Sequence, residues 1–412
     1  MQQHSEPQLK RNIGTGLLTL YGLGTILGAG IYILVGKVAG YAGIYAPAAF
    51  LLAALLATLS GYSYAKLSAH YPRSAGEVVY VQQAFHNNTL SKAVGWLVVL
   101  TGVVSAATIT RGFVGYLQVF IDIPYLAAIT GLVLAMTLLA IWGVAESVIA
   151  TSIATVLGLI GLAIVLFYSA PHLLAHPELL TELTPPLDDS GLWFGIVLGA
   201  FLAFYAFIGF EDIVNMAEEV KEPSKALPTA IMLAIIVSSL LYVLIAIAAV
   251  SQLSVEQLRS SSAPLADVMY QHSPDAARLV SLISLAAIIN GALVQIIMGS
   301  RVLFGMASQG LAPKKLAVIH ASRRTPWIAT TVIGAVVWIL ASGFELTLLA
   351  KITSFIIIVI FFLVNVSLLR LININPSLEA KASIPFLGAL ICILFLSSQI
   401  YQLIASGVMV SH

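Results

Sequence analysis

Apolar blocks separated by short polar stretches dominate this chain, and most of them reach the roughly 18 residues a helix needs to cross a bilayer. Read in order, they predict eleven spans near residues 14–36, 44–69, 93–120, 125–142, 147–170, 192–217, 228–251, 277–307, 327–343, 346–371 and 384–405, numbered 1 to 11. Pro47, Pro124, Pro326 and Pro385 fall at or just before span starts, where proline suits a helix. Span 9 is short and span 8 long, which fits tilt or an extension beyond the bilayer. Two connections are longer than the rest. Residues 171–191 are acidic and proline-rich, and residues 252–276 hold Ser-Ser-Ser-Ala-Pro-Leu-Ala-Asp before Met269. The second reads either as a surface helix over an entrance or as a solvated connector.

Span 1 contains Gly22, Gly24, Gly28 and Gly30 within nine residues, a density that weakens a helix and exposes its backbone. Non-helical backbone at membrane depth persists only where it lines a cavity or is buried in protein. A break at Gly28-Ala29-Gly30 turns the start of the next half-helix, with its unpaired N–H groups, toward such a cavity. Span 6 repeats the anomaly: Gly209, Glu211 and Asp212 sit inside an otherwise apolar segment. Ionisable groups at that depth are costly and mark function. Breaks in spans 1 and 6 divide the chain into two five-helix halves of opposite orientation, as in transporters built from inverted repeats. The predicted organisation is a tail over 1–13, a ten-helix core over 14–371 (halves 14–170 and 192–371), and an additional helix 11 with a short tail over 372–412. The predicted fold is therefore an all-α integral membrane protein, a five-plus-five inverted repeat with broken helices 1 and 6 and about 11 transmembrane helices.

Composition agrees: 59% of residues are hydrophobic, 9% are charged, and mean hydropathy is +1.00. The formal net charge of +1 gives no reason to expect a nucleic-acid partner. Thirteen of the nineteen Lys and Arg fall in loops on the side of the N-terminus and four on the other, which predicts a cytoplasmic N-terminus and an extracytoplasmic C-terminus. Cys392 is alone, so no internal disulfide forms. No zinc-protease, nucleophile-elbow, paired-cysteine or phosphate-loop signature occurs, so neither an enzyme, a metal site nor a cofactor is expected.

Several segments resemble the amino acid–polyamine–organocation (APC) superfamily, in family order: Gly28-Ala-Gly-Ile-Tyr32, Tyr71-Pro-Arg-Ser-Ala-Gly-Glu77, Gly115-Tyr-Leu-Gln118, Gly143-Val-Ala-Glu-Ser147, Phe207-Ile-Gly-Phe-Glu211 with Ala217–Pro223 and Leu227-Pro228, and Gly299–Pro313. The resemblance implies a secondary transporter that moves amino acids across a plasma or inner membrane by alternating access. A polyamine or other organocation is the alternative cargo, and a proton or a counter-substrate the alternative driving partner. Many relatives have twelve helices, against eleven here. Many also carry a lysine in helix 5, at the position that Gly158 occupies here, so simple exchange or another titrating group is expected.

Position and resemblance together assign the substrate site. Ala29 and Gly30 offer N–H groups to a carboxylate, while Ile26, Tyr205 and Ile208 offer carbonyls to an ammonium. Gly28 and Gly209 keep the backbone bare, and Ala106 lines a small apolar side-chain compartment. Tyr205 reads as a lid or as packing. Glu211 reads as a titrating group, a counter-charge or a brace for the break. Arg111 pairs with a span 6 acid or snorkels outward, and Asn290 and Gln295 face the cavity or bond between helices.

Overall fold

The computed structural model describes residues 11–410 apart from 75, 144–147, 309, 311 and 376, with side chains described to 405. Lys10, the motif residues 144–147 and the C-terminal His412 lie outside the described residues. Span 1 is two helices, α1 (Thr15–Leu27) and α2 (Gly30–Ala42), and span 2 is α3 (Ala46–His70). After the short α4 (Gly76–Phe85) come spans 3 to 5, α5 (Asn88–Leu117), α6 (Tyr125–Trp142) and α7 (Val148–Ala175). The one-turn α8 (Glu178–Glu182) leads to span 6, made of α9 (Ser190–Ala203), a tight turn over Phe204–Phe207, and α10 (Asp212–Asn215). Span 7 is α11 (Pro223–Gln252). The surface helices α12 (Val255–Ser260) and α13 (Pro264–Tyr270) follow, then α14 (Pro274–Ser308), α15 (Trp327–Gly343), α16 (Leu346–Ile374) and α17 (Ser383–Val410) as spans 8 to 11.

The predicted spans match these helices to within six residues, and two of the offsets have local causes. The fifth residue before the expected start of span 3 opens α5 because Asn87 caps it, its Oδ1 accepting from Thr89 N and Leu90 N at 2.9 and 3.1 Å. Span 7 begins at Pro223 rather than Pro228, since Pro223 takes the first helical position and needs no N–H partner. Long Leu and Ile side chains stay exposed around the outside, among them Leu51, Leu134, Ile153 and Leu240, as a lipid-facing surface requires.

Helices meet through small residues, which lets backbones approach without a hydrophobic driving force from water. Gly24 of α1 lies against Thr151 and Thr155 of α7, and Gly112 of α5 against Ile33 of α2. Span 11 belongs to this packing. Asn365 of α16 accepts from Ser63 Oγ at 2.6 Å and donates to Ser60 Oγ at 3.1 Å, and the backbone of Gly388 in α17 lies over its side chain. At the face that carries the N-terminal segment, Ile13 N donates to Glu219 O (3.1 Å) and Lys221 N to Ile13 O (2.8 Å), a short parallel bridge between the start of span 1 and the end of span 6.

Candidate binding site at two helix breaks

α1 stops at Leu27 and α2 starts at Gly30, with Ala29 between them at φ −139° and ψ −29°. The carbonyls ending α1 and the N–H groups opening α2 are left without partners inside either helix. Opposite, span 6 tightens over Phe204–Phe207, extends at Ile208 (φ −63°, ψ 131°) and turns at Gly209, whose φ is 127°. It resumes as a run of tight turns, Asp212 N bonding Gly209 O at 3.1 Å and Val214 N bonding Glu211 O at 3.1 Å.

The two breaks touch. Thr25 Oγ1 donates to Gly209 O at 2.8 Å, and a Cβ on Gly209 would fall 2.6 Å from the Thr25 carbonyl carbon. Tyr242 of α11 reaches between them, its Oη 2.8 Å from Ile26 O and 2.9 Å from Ala206 O. One hydroxyl proton thus serves two carbonyls, one from each broken helix.

A cavity lies where the breaks face α5 and α14. Ile26, Gly28, Ala29, Gly30, Tyr205 and Ile208 line it, and Asn290 and Gln295 face it from α14. Sequence reasoning missed the rest of its wall, which includes Ser105, Ile109, Gly291 and Val294. Tyr205 Oη lies 3.0 Å from Ser105 Oγ, tying span 6 to α5 across the cavity. The volume is about 20 Å³, room for a water. That is an order of magnitude below the ~300–1,000 Å³ of sites that hold small molecules, so a solute enters only if the breaks or α14 move apart.

Access is asymmetric. On one side α12 and α13 pack over α2 and α14, and Lys37 Nζ donates to the carbonyls of Arg259 and Ser261 at 2.6 and 3.0 Å. The segment predicted as a surface helix or a solvated connector is therefore two helices that cap this side. Toward the face of the N-terminal segment, an intermediate cavity of about 70 Å³ shares Ile208 and Gln295 with the central one. It shares Val78, Asn215 and Met298 with a vestibule of about 930 Å³.

The structure places four further candidate residues as follows. Ala106 is fully buried but outside the cavity wall: Ser105 and Ile109, one turn apart, form that stripe of α5, and Ala106 lies about 100° around the helix. Gly30 is bare because its added Cβ would run into Cα and Cβ of Ala206, so its smallness serves a helix contact first. Glu211 sits outside the central cavity and folds back, its Oε2 accepting from Gly209 N at 2.9 Å, the geometry of a brace. Arg111 makes no pair with Glu211. Its Nη1 donates to Ala341 O at 2.9 Å in the last turn of α15, and its guanidinium lies 4.6 Å over the Tyr125 ring. A cation there complements the negative end of a helix, so Arg111 joins α5, α6 and α15. Arg111→Met is therefore expected to lower thermal stability, by ~1–3 kcal/mol for a lost charge-assisted hydrogen bond, while ligand affinity stays within about twofold. A scan of melting temperature against a binding isotherm checks this. Unchanged stability with lost affinity would return Arg111 to the site.

The Gly158 carbonyl accepts from Tyr32 Oη at 2.7 Å, and Gly158 lines a space of about 10 Å³ beside Gly28 and Asn290. Among the described residues, no group of His, Cys, Asp and Glu is placed to hold a metal ion.

A family model for amino acid permeases matches residues 15–410. The branched-chain amino acid permease of Bacillus subtilis (strain 168) is 29% identical over 404 residues, covering 92% of this chain and 85% of its own. The methylthioribose transporter of the same organism is 27% identical, with 96% and 90% covered. Cationic amino acid transporter 3, mitochondrial, of Arabidopsis thaliana is 28% identical over 90% of this chain and 64% of its own.

Proposed function

The chain belongs to the amino acid permease family, and on that premise we propose that it exchanges neutral amino acids with apolar side chains across a plasma membrane by alternating access. The observation that carries this reading is the central cavity. Its lining is bare backbone from both breaks, the apolar Ile26, Ile109, Ile208 and Val294, the hydroxyls of Thr25, Ser105 and Tyr205, and the amides Asn290 and Gln295, with no Asp, Glu, Lys, Arg or His among the described residues. N–H groups opening α2 meet the α-carboxylate, and carbonyls of Ile26, Tyr205 and Ile208 meet the ammonium. A side chain with its own charge has no counter-charge in this cavity, since the acids line the next one. The branched-chain permease among the relatives agrees with an apolar side chain.

In this reading the contracted cavity with its vestibule open is a state after release on the cytoplasmic side. The vestibule face carries the N-terminal segment, which the Lys and Arg distribution places inside. The two halves 14–170 and 192–371 supply the moving parts, and α17 a fixed flank. With glycine at position 158, span 5 has no amine to shuttle a proton, so internal substrate rather than a proton gradient drives uptake.

A thermal-shift series on the purified protein tests the cargo: leucine, isoleucine and valine are expected to stabilise, by ~2.7 kcal/mol at a hundredfold excess over Kd, and arginine and putrescine are not. Counterflow into proteoliposomes preloaded with leucine is expected to exceed uptake into empty ones. Stabilisation by putrescine or arginine alone would replace this reading with organocation transport, for which Glu211 and Asp212 are the carboxyls at hand.

A further inference from the structure

Glu77 belongs to none of the roles assigned above. It opens α4, which lies outside the membrane spans, yet it is only 4% exposed. Its Oε1 accepts from Tyr64 Oη at 3.2 Å, and Tyr64 is itself wedged edge-on against Phe210 and Phe361, with ring centres 5.5 and 5.3 Å away. Glu77 lines the intermediate cavity, which shares lining residues with both the central cavity and the vestibule. Glu211, 7% exposed, lines the same cavity from the far side of the span 6 break.

Among the described residues, the surroundings offer these carboxyls no positive charge. The titratable groups that face them are Tyr64 from α3, Tyr80 from α4 and Asp212 from span 6; α5 presents Thr101, α14 presents Gln295 and Met298, and α16 presents Ile357. No Lys, Arg or His lies within ion-pair distance of Glu77 or Glu211 among the described residues. Lys92 and Arg301 line only the vestibule beyond. Two carboxyls buried together without a cation cannot both be charged at moderate cost, so the closed arrangement holds a proton.

We propose that Glu77 and Glu211 form a proton-operated gate on the inner side of the substrate site, closed while a carboxyl is protonated and opened when both are charged and hydrated. The chemistry needs no other partner: a carboxylic acid loses its proton to vestibule water, and the two carboxylates then repel and draw water into the intermediate cavity. Opening there widens the path between Ile208 and Gln295, which both cavities share. Burial raises the Glu77 carboxyl to about 7, against the pull of its own backbone N–H and of Tyr64. The gate therefore responds across neutral pH. Its protonated form dominates below that value and its charged form above it. The device sets rate rather than direction, because the proton leaves to and returns from the same side.

The proposal rests on the transport reading, and two measurements keep the two apart. The first needs no transport. A carboxyl whose pKa is higher in the folded protein than in the unfolded chain makes stability fall as pH rises between the two values. The melting temperature of the wild type is expected to fall from pH 5 to 7, and Glu77→Gln is expected to reduce that slope. The second is leucine counterflow with external pH fixed and internal pH varied. The wild-type rate is expected to rise between pH 6 and 8, by up to about ninefold as a group near 7 goes from one-tenth to nine-tenths charged. Glu77→Gln is expected to flatten the profile at the slow, protonated rate, and Tyr64→Phe to shift its midpoint. A wild-type melting temperature and rate both independent of pH would overturn the gate, and so would Glu77→Gln with wild-type slopes. Absent counterflow with the stability slope intact would overturn the transport reading and leave the proton site standing. Should Glu77→Gln fail to fold, Tyr64→Phe is expected to move the midpoint of both profiles to higher pH, because it removes a donor to the charged carboxylate, and wild-type midpoints in that variant would overturn the gate.

Discussion

Tyr242→Phe is expected to lower leucine counterflow by about one to two orders of magnitude while the protein still folds and inserts. The hydroxyl is the only atom removed, and the ring keeps its edge-on contacts with Phe50 and Phe207, centred 6.0 and 5.1 Å away. What goes is a fully buried donor within 2.8 and 2.9 Å of two carbonyls, Ile26 O and Ala206 O, that their broken helices leave unpaired. A buried carbonyl that loses its partner costs ~1–3 kcal/mol, which is about tenfold to a hundredfold in a population or a rate. The cost falls on the relative placement of the two breaks and hence on the carbonyls proposed to hold the ammonium. Thermal stability and substrate affinity measured on the same preparation check the assignment. A drop in affinity with a small drop in melting temperature is expected; equal affinity and equal flux would reduce Tyr242 to packing.

The breaks themselves were legible in the sequence, and Tyr242 was not. Glycines at 28 and 30 and acids at 211 and 212 are anomalies inside apolar runs, and each anomaly marks a position along the chain. Span boundaries are legible for the same reason, since hydropathy is a property of sequence position. The direction in which a side chain points is a different matter. A buried membrane helix is apolar nearly all round, so no periodic stripe tells Ser105 from Ala106, and the cavity wall took the first and not the second. Arg111 shows the same limit. Its depth is readable, but its partner, a carbonyl at the end of α15, is 230 residues away and carries no side-chain signature. Tyr242 had one usable signal, a polar tip in the apolar run of span 7. Glu77 had one too, as an acid beside Ser-Ala-Gly, yet the cavity it shares with Glu211 depends on how α4 folds against span 6.

Gly209→Ala is expected to leave little folded, active protein, whereas Gly28→Ala is expected to fold like the wild type. The glycines look equivalent in sequence, each beside a break, and the backbone separates them. Gly209 has φ 127°, a conformation that only glycine adopts without strain, and an added Cβ would fall 2.6 Å from the Thr25 carbonyl carbon and 3.0 Å from Ile26 N. The substitution combines backbone strain of ~1–3 kcal/mol with overpacking of ~1–3 kcal/mol. Relief of either pushes α1 away from span 6 and lengthens the 2.8 Å bond from Thr25 to the Gly209 carbonyl. Gly28, by contrast, is right-handed at φ −52° and ψ −57°, and its Cβ would meet Gly24 O at 3.3 Å and Gly291 Cα at 3.7 Å, contacts that need at most a small shift. Its methyl enters the space between span 1 and Gly291, so the expected loss is in the size of side chain accepted rather than in folding. Valine should be favoured over leucine in competition with a labelled substrate, by ~1–3 kcal/mol at most for one methylene in a tight pocket. Expression yield, melting temperature and competition on the two variants check both halves. Wild-type behaviour from Gly209→Ala would mean that the break in span 6 relaxes without its glycine, and unchanged selectivity in Gly28→Ala would place the side-chain compartment away from Gly291.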